Sequence, residues 1–275
     1  MKDLDFTGIA RLVERKQGTS LEGLARDVVP VAEGWMIFDA PGSPVNKVCG
    51  IGLGRALTEA ELERLGTFFS ERGAEPKVEL SSFTSPELLE ALARRGFVLR
   101  EFENVLIREL PEGEQLHSML PGGWPEGVSI QRVEPANEAM VQEYIQVAFG
   151  GFFPEGMALP GEIVEFGRKC ARTRGYDLFV ARADGEAVGA GGCESGEGAT
   201  LLFGTSVKAS HRRRGIQQAL MVARLERGRQ LGSRLAVINS RPGIPTERNA
   251  TRLGFNMAYS RAVLVKPGEG LVPSP

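Results

Sequence analysis

The residues best suited to chemistry lie in one short loop of the C-terminal half. Arg212, Arg213 and Arg214 stand in a row and are followed by Gly215. A run of apolar residues precedes them, and apolar residues at helical spacing follow the glycine. A helix that begins at such a junction presents unpaired N–H groups and the positive end of its dipole. With three guanidinium groups beside it, this arginine loop, which we define as residues 208–215, predicts a phosphate site.

Two other interpretations of the arginine loop stay open. Most runs of positive charge are solvated turns, and only the position between a strand and a helix favours a binding site here. Nucleic-acid binding is disfavoured because the formal net charge is -2, the pI is near 5.9 and no aromatic residues are interleaved with the arginines.

The loop also carries a recognisable spacing. The order Val207, four residues, Arg212, two residues, Gly215, Ile216 resembles the acyl-CoA pyrophosphate motif of the GNAT acyltransferase superfamily. The family pattern is Gln or Arg, two residues, Gly, one residue, then Gly or Ala. Gln217 takes the last place and departs from that pattern, but the family's contact there is made by a backbone N–H, which glutamine also has.

The resemblance extends over residues 128–266, where strands and helices are predicted in the family's order. It implies a V-shaped opening between the strand ending at Val207 and the strand 235–238, into which the pantetheine arm of acetyl-CoA or another acyl-CoA inserts. Backbone groups of 205–207 would bind the arm and polarise the thioester carbonyl. The residues so implied in cofactor binding are Thr205, Ser206, Val207, Arg212, Arg213, Arg214, Gly215, Ile216, Gln217 and, on a short helix, Asn249.

Transfer to an amine requires the neutral amine. A lysine-like amine with a pKa of about 10.4 is roughly 0.04% neutral at pH 7, a handicap of about 4.6 kcal/mol, so a general base should help. Glu194 follows the strand ending at Cys193 and is similar in position to the family's catalytic glutamate; a surface turn residue is the alternative. The family's frequent tyrosine is replaced by Ala250. Tyr259 is the candidate substitute, and simple packing is its alternative.

The chain repeats one pattern at a fixed interval. Phe97, after a glycine, precedes a strand at 105–107, and Phe255, after a glycine, precedes a strand at 263–265. The offset is 158 for both, since 255 − 97 and 263 − 105 agree. This favours internal duplication, although helix, glycine, strand is also a common helix end.

A linker rich in glycine and proline at 110–127 separates the two copies. We therefore predict two GNAT-like domains, at 1–115 and 125–275, of α/β (α+β) class. Each would have a mixed, mostly antiparallel sheet with helices on both faces. In the first domain Thr58 and Glu61 form a capping box at the helix start that would otherwise receive a phosphate, so this copy is expected to be degenerate and to lack the phosphate loop.

Length and composition restrict the number of domains, the cofactors and the location that can be expected. The 275 residues, 42% of them hydrophobic, suffice for two ordinary domains. Three cysteines and two histidines show no metal-ligand spacing, so no metal is predicted. No apolar run is long enough to span a membrane, and the acidic first residues differ from a secretory signal, so a cytoplasmic protein without a membrane partner is expected.

Through the resemblance, the sequence predicts an N-acyltransferase that uses acetyl-CoA or a related acyl-CoA and acylates an amine, most simply of a small molecule. Hydroxyl and thiol acceptors stay open. The rival from another class is a non-catalytic acyl-CoA-binding sensor or interaction module. Neither the acceptor nor the oligomeric state is predicted.

Overall fold

Helices and strands are mixed along the chain in this computed structural model, which describes residues 5–154 and 156–274. They group into two units. The first contains the residues up to Val105 together with those from Met257 onward, and the second runs from Leu106 to Asn256.

The first unit is a mixed sheet between helices. Within it the strand order is β1-β2-β3-β4-β11, antiparallel throughout except for the parallel pair β3 and β4. Its elements are α1 (Phe6–Leu21), β1 (Asp27–Val31), β2 (Gly34–Phe38), β3 (Lys47–Cys49), α2 (Glu59–Ser70), β4 (Lys77–Ser81), α3 (Pro86–Arg94), the first part of β5 (Val98–Glu109), and β11 (Asn256–Val265).

Alternation along β4 separates the two faces of this sheet. Val78 and Leu80 belong to an apolar core that includes the buried residues of α2 and α3. Glu79 lies on the opposite face, where it accepts a hydrogen bond from Gln17 of α1 and a 2.7 Å bond from Lys47 Nζ. The unit therefore has an apolar layer under α2 and α3 and an ionic layer under α1.

Helix α2 begins with the expected capping box. Thr58 Oγ1 accepts from the Glu61 N–H at 3.3 Å, and the Glu61 carboxylate accepts from the Thr58 N–H at 2.9 Å. Two glutamates lie in the first turn of this helix. Its positive end is thus occupied by the chain's own carboxylates.

The second unit is also a mixed, mostly antiparallel sheet with helices on both faces, as predicted. Its strand order is β6-β7-β8-β9-β10, antiparallel except for the parallel pair β9 and β10. The elements are the end of β5, β6 (Val128–Arg132), α4 (Glu138–Gly150), α5 (Gly161–Arg172), β7 (Tyr176–Ala183), β8 (Glu186–Gly196), β9 (Ala199–Val207), α6 (Ile216–Gln230), β10 (Leu235–Ser240) and α7 (Pro245–Arg252).

Helix α6 packs on one face of this sheet and α4 on the other. Ile216 and Leu220 of α6 share an apolar cluster with Val188 of β8. Tyr144 of α4 reaches the other face, where its hydroxyl lies 2.9 Å from the position that a Cβ at Gly192 would take. Among the described residues, none of the helices is both long and apolar enough to cross a membrane.

The C-terminal strand differs from the sequence-based division at 125–275, because β11 belongs to the first unit. It pairs antiparallel with β4, with Ala262 opposite Leu80 and Leu264 opposite Val78. Strand β5 likewise passes out of the first unit after Val105. A strand joins the sheet whose edge it pairs with, and the apolar pattern of 263–265 does not specify that edge.

Candidate functional site

The arginine loop makes a sharp turn between β9 and α6. After Val207 the chain forms one short 3-10 turn, Ala209–His211, and then reverses through two residues of left-handed conformation, Arg213 with φ 67° and Gly215 with φ 79°. Glycine adopts this conformation without strain, whereas other residues adopt it at a cost of about 1–2 kcal/mol. Gly215 is the N-cap residue of α6, directly before the first helical residue.

The start of α6 is open. No side chain of the described residues caps it, and its first turn contains no acidic residue. The first helical bond runs from the Ala219 N–H to the Gly215 carbonyl at 3.0 Å, so the preceding N–H groups have no partner within the helix. Arg212, Arg213 and Arg214 are exposed beside this end. The helix start therefore combines free N–H donors, an uncompensated dipole and three cations.

Strand β9 separates from β10 before it reaches the loop. The parallel register pairs 199–202 with 235–238 and ends at Leu202 and Ile238, while β9 continues to Val207. At this point β9 carries a bulge: Ser206 lies opposite Ala190 and Phe203 opposite Gly192, so two residues of β9 face one of β8. A bulge bends its strand, so β9 diverges from β10 beyond Leu202. Among the described strands, residues 203–207 of β9 have no partner in β10.

A side-chain network joins the start of α6 to α7. Gln217 Oε1 accepts from Asn249 Nδ2 at 2.7 Å, and Gln217 Nε2 donates to Thr246 Oγ1 at 3.1 Å. Two residues that the resemblance implied in cofactor binding are thus brought into contact. Thr246 carries no sequence signal of its own, since its role depends on the packing of α7 against α6.

Glu194 lies inside β8, directly opposite Leu201 of β9 and Tyr176 of β7. It is only 7% exposed, so the alternative of a surface turn residue is wrong. The Tyr176 ring packs edge to face against the ring of Phe203, with 5.6 Å between centroids. Glu194 is therefore a buried carboxylate on β8, the strand that pairs with the bulged strand β9.

Tyr259 lies on β11 in the first unit, whereas the arginine loop belongs to the second. It is 3% exposed and donates a 2.7 Å hydrogen bond to Glu14 Oε1, which also accepts from Arg261 Nε at 3.0 Å. Burial, followed by the charge of Glu14, raises the pKa of Tyr259 far above its ordinary value. The hydroxyl is thus part of the ionic layer of the first unit.

Sequence reasoning missed one charged residue beneath the bulge. Arg224 of α6 is 0% exposed, and its guanidinium binds three main-chain carbonyls, those of Leu220, Gly192 and Phe203. Burial lowers the pKa of Arg224 to about 10. The sequence signal was present, because this arginine interrupts the apolar stripe of α6.

The three cysteines are free and buried. Burial raises the pKa of the Cys193 thiol to about 12. In the part of the chain that the structure describes, no group of three or more His, Cys, Asp or Glu side chains is placed to hold a metal ion.

Comparison with known proteins agrees with this geometry. Residues 138–255 match the model of the acetyltransferase (GNAT) family. A GCN5-related N-acetyltransferase from Kribbella flavida is similar in structure, with a TM-score of 0.69, 18% identity and coverage of 96% of this chain and 97% of that chain. No curated protein matches the sequence.

Two further solved structures are similar. One is a tandem GNAT protein from the clavulanic acid biosynthesis pathway, with a TM-score of 0.59, 16% identity and coverage of 86% and 80% of the two chains. The other is a putative acetyltransferase of the GNAT family from Novosphingobium aromaticivorans, with a TM-score of 0.56, 14% identity and coverage of 94% and 98%. Residues 138–255 are therefore a GNAT domain, and the chain has the fold of GNAT proteins. Acyl-CoA-dependent acyl transfer is the chemistry that this family implies.

Proposed function

We propose that this chain is an N-acyltransferase that moves the acyl group of acetyl-CoA, or of a related acyl-CoA, to the amine of a small molecule. The observation that carries the proposal is the open start of α6. There, unpaired N–H groups and three arginines lie next to a bulged strand that has separated from its neighbour. The diphosphate of an acyl-CoA would fit the start of α6, and its flexible pantetheine arm would fit the neighbouring edge of β9.

The arginine loop would hold the diphosphate. The N–H groups at the start of α6, including those of Ile216 and Gln217, would donate to the phosphate oxygens, and the guanidinium groups of Arg212, Arg213 and Arg214 would balance the charge. The contact between Gln217 and Asn249 leaves the Gln217 N–H at the helix start, because it uses only side-chain atoms.

The edge of β9 at 203–207 would bind the pantetheine arm as an added strand does. Thr205, Ser206 and Val207 offer main-chain donors and acceptors there, and amide groups of the arm can pair with them. Bound acyl-CoA supplies an activated thioester whose carbonyl oxygen gains negative charge during attack. N–H groups of the bulge would stabilise that oxygen.

Glu194 would serve as the general base, through a water molecule because its carboxylate is buried. The amine nitrogen attacks the thioester carbon, the C–S bond breaks, the thiolate leaves with the electron pair, and the amine proton passes towards Glu194. A thiol of pKa about 8.5 is a fair leaving group, so a general acid is less important. Tyr259 stays a prediction for that role, and its hydrogen bond to Glu14 favours packing instead.

The binding site is tested with acetyl-CoA, by native mass spectrometry and calorimetry, on Gly215→Glu. A carboxylate there would meet the phosphates, and repulsion of about 3 kcal/mol for each charge at roughly 6 Å should raise Kd at least about a hundredfold. The matched control is Gly232→Glu, at the other end of α6. That glycine also has a positive φ, 85°, and open space around a Cβ. Equal affinity for both variants would remove the arginine loop from the proposal.

One observation favours the sensor alternative: Ala250 stands where family members often have a tyrosine, and it is fully buried. Acyl transfer to a panel of amines, followed by release of the CoA thiol, separates the two functions. For an enzyme, Glu194→Gln should lower kcat at least about tenfold and leave the Kd for acetyl-CoA unchanged. Glu126→Gln, an exposed change of the same type before β6, is the control. A wild-type protein that binds acetyl-CoA but acylates no amine would support the sensor.

A further inference from the structure

Arg224 is a buried cation without an anion. Its Nε donates to the Leu220 carbonyl at 2.9 Å, and its Nη1 donates to the carbonyls of Gly192 at 3.0 Å and Phe203 at 3.3 Å. No carboxylate of the described residues pairs with it. Burying an unpaired charge costs several kcal/mol, so an apolar residue here would give a more stable helix contact.

The strands make room for this side chain. A Cβ at Gly191 would lie 3.0 Å from the Arg224 guanidinium carbon and 3.1 Å from Thr205 Oγ1. Gly191 is the β8 residue that the bulge of β9 faces. The guanidinium thus occupies the space directly beneath the bulge, where a side chain at position 191 would crowd it.

The charge of Arg224 is only partly satisfied by its surroundings. Its Nη2 is buried without a hydrogen-bond partner in the described part of the chain, and so is Thr205 Oγ1. Although burial lowers the pKa of Arg224 to about 10, the group remains charged at neutral pH. Its field therefore acts on the peptide groups of the bulge, in surroundings where screening by water is weak.

The Phe203 carbonyl and the Gly204 N–H belong to the same peptide. That peptide is trans, so the two groups point in opposite directions. Arg224 Nη1 binds both the Phe203 carbonyl and that of Gly192 on β8, so the Phe203 carbonyl points towards the guanidinium. The Gly204 N–H then points away from the guanidinium, on a stretch of β9 where the pairing with β10 has ended.

We propose that Arg224 is a positioning residue for acyl transfer, which holds the Phe203 carbonyl and polarises its peptide so that the Gly204 N–H becomes a stronger donor to the thioester oxygen. The inference rests on the proposed function, because it needs an acyl-CoA on the edge of β9. A charge-assisted bond to a carbonyl strengthens the donor at the other end of the same peptide. Oxyanion donors of this kind change kcat by factors of about 10²–10³ when removed, so weakening one should change it about tenfold.

The experiment measures polarisation directly and needs no acceptor. Isotope-edited infrared difference spectra of acetyl-CoA labelled with ¹³C at the thioester carbonyl report its stretching frequency when bound. Wild-type protein should shift this band to lower frequency. Arg224→Met, which keeps the volume but not the charge, should lose at least half of that shift, and Arg224→Lys should retain most of it.

Affinity for CoA without an acyl group separates polarisation from a simple support of the bulge. If Arg224 polarises the peptide, Arg224→Met should bind CoA within about threefold of wild type, because the arginine loop is unchanged. A full carbonyl shift in a folded Arg224→Met variant would overturn the inference. So would a variant whose CoA affinity falls in parallel with the shift.

If Arg224→Met does not fold, the carbonyl band shift is measured on Arg224→Gln instead. Glutamine keeps a donor for one carbonyl but removes the charge, so a reduced shift supports the inference and a wild-type shift overturns it. Failure of the proposed function is distinguishable, because wild-type protein would then bind no acetyl-CoA, or would bind it and acylate no amine, and neither result depends on the Arg224 variants. When an acceptor is available, kcat should fall about tenfold in Arg224→Met with KM for acetyl-CoA nearly unchanged.

Discussion

Replacing Lys77 with methionine should stabilise the first unit at neutral pH. Lys77 lies in β4 and is 6% exposed. Burial lowers its pKa from 10.5 to about 8; repulsion by Lys47 adds to this effect, and attraction by Glu79 and Glu103 opposes it. Methionine fills a similar volume and carries no charge to desolvate, so the change removes the cause of the shift.

The size of the effect follows from that shift. The difference between 10.5 and about 8 is 2.5 pKa units, which at about 1.36 kcal/mol per unit corresponds to about 3 kcal/mol. This is an upper bound, because methionine does not reproduce the packing of the lysine side chain, and even volume-conserving swaps in a core can cost up to about 1.5 kcal/mol. We therefore expect Lys77→Met to raise the free energy of unfolding by about 1–3 kcal/mol at pH 7.

The stability difference between Lys77→Met and wild type should decrease as the pH rises. Below pH 8, Lys77 is charged in both the folded and the unfolded chain, and folding carries the full desolvation cost. Between about pH 8 and 10.5 the folded lysine is neutral while the unfolded one is protonated, so wild-type stability rises relative to the variant. The advantage of Lys77→Met should thus be complete at pH 7 and nearly gone by pH 10.5.

Urea unfolding followed by tryptophan fluorescence measures this difference. The chain has two tryptophans, Trp35 in the first unit and Trp124 in the second. In a Trp124→Phe background, Trp35 reports the first unit alone, which matters because two units need not unfold together. Lys266→Met, a half-buried position after β11, is the control. A gap between Lys77→Met and wild type that is the same at pH 7 and pH 10 would refute the reasoning.

Three further outcomes are expected. Gly215→Ala should lower stability by about 1 kcal/mol, because alanine is strained at φ 79°, and should weaken acetyl-CoA binding less than tenfold in calorimetry; a hundredfold loss would mean that the Cβ, not charge, excludes the ligand. Cys193 and the other two cysteines should resist a thiol reagent at pH 8 in the native protein and react completely in guanidinium chloride, since all three are buried; rapid native labelling would contradict this. Tyr259→Phe should lower the free energy of unfolding by about 1.5–3 kcal/mol through the lost bond to Glu14, with kcat unchanged; a tenfold loss of kcat at unchanged stability would instead support the general-acid role.

Local patterns were enough to predict much of the molecule. The capping box of Thr58 and Glu61 forms as expected, because both partners lie within one helical turn. The helix start at Gly215 follows from a strand, a short loop and an apolar helical stripe in succession. A GNAT domain in the C-terminal half was predicted for the same reason, since its motif and its order of elements are both read along the chain, and the family model matches residues 138–255.

Contacts between distant segments were decided by the tertiary structure. The apolar pattern made 263–265 a strand, but pairing with β4 placed it in the first unit. The burial of Glu194 depends on both neighbours of β8, and that of Arg224 on a bulge opposite Gly191. The sequence by itself determines which conformation each short segment prefers. The partner of a strand edge or of a buried charge depends instead on which surfaces meet, and these meet only when the whole sheet has assembled.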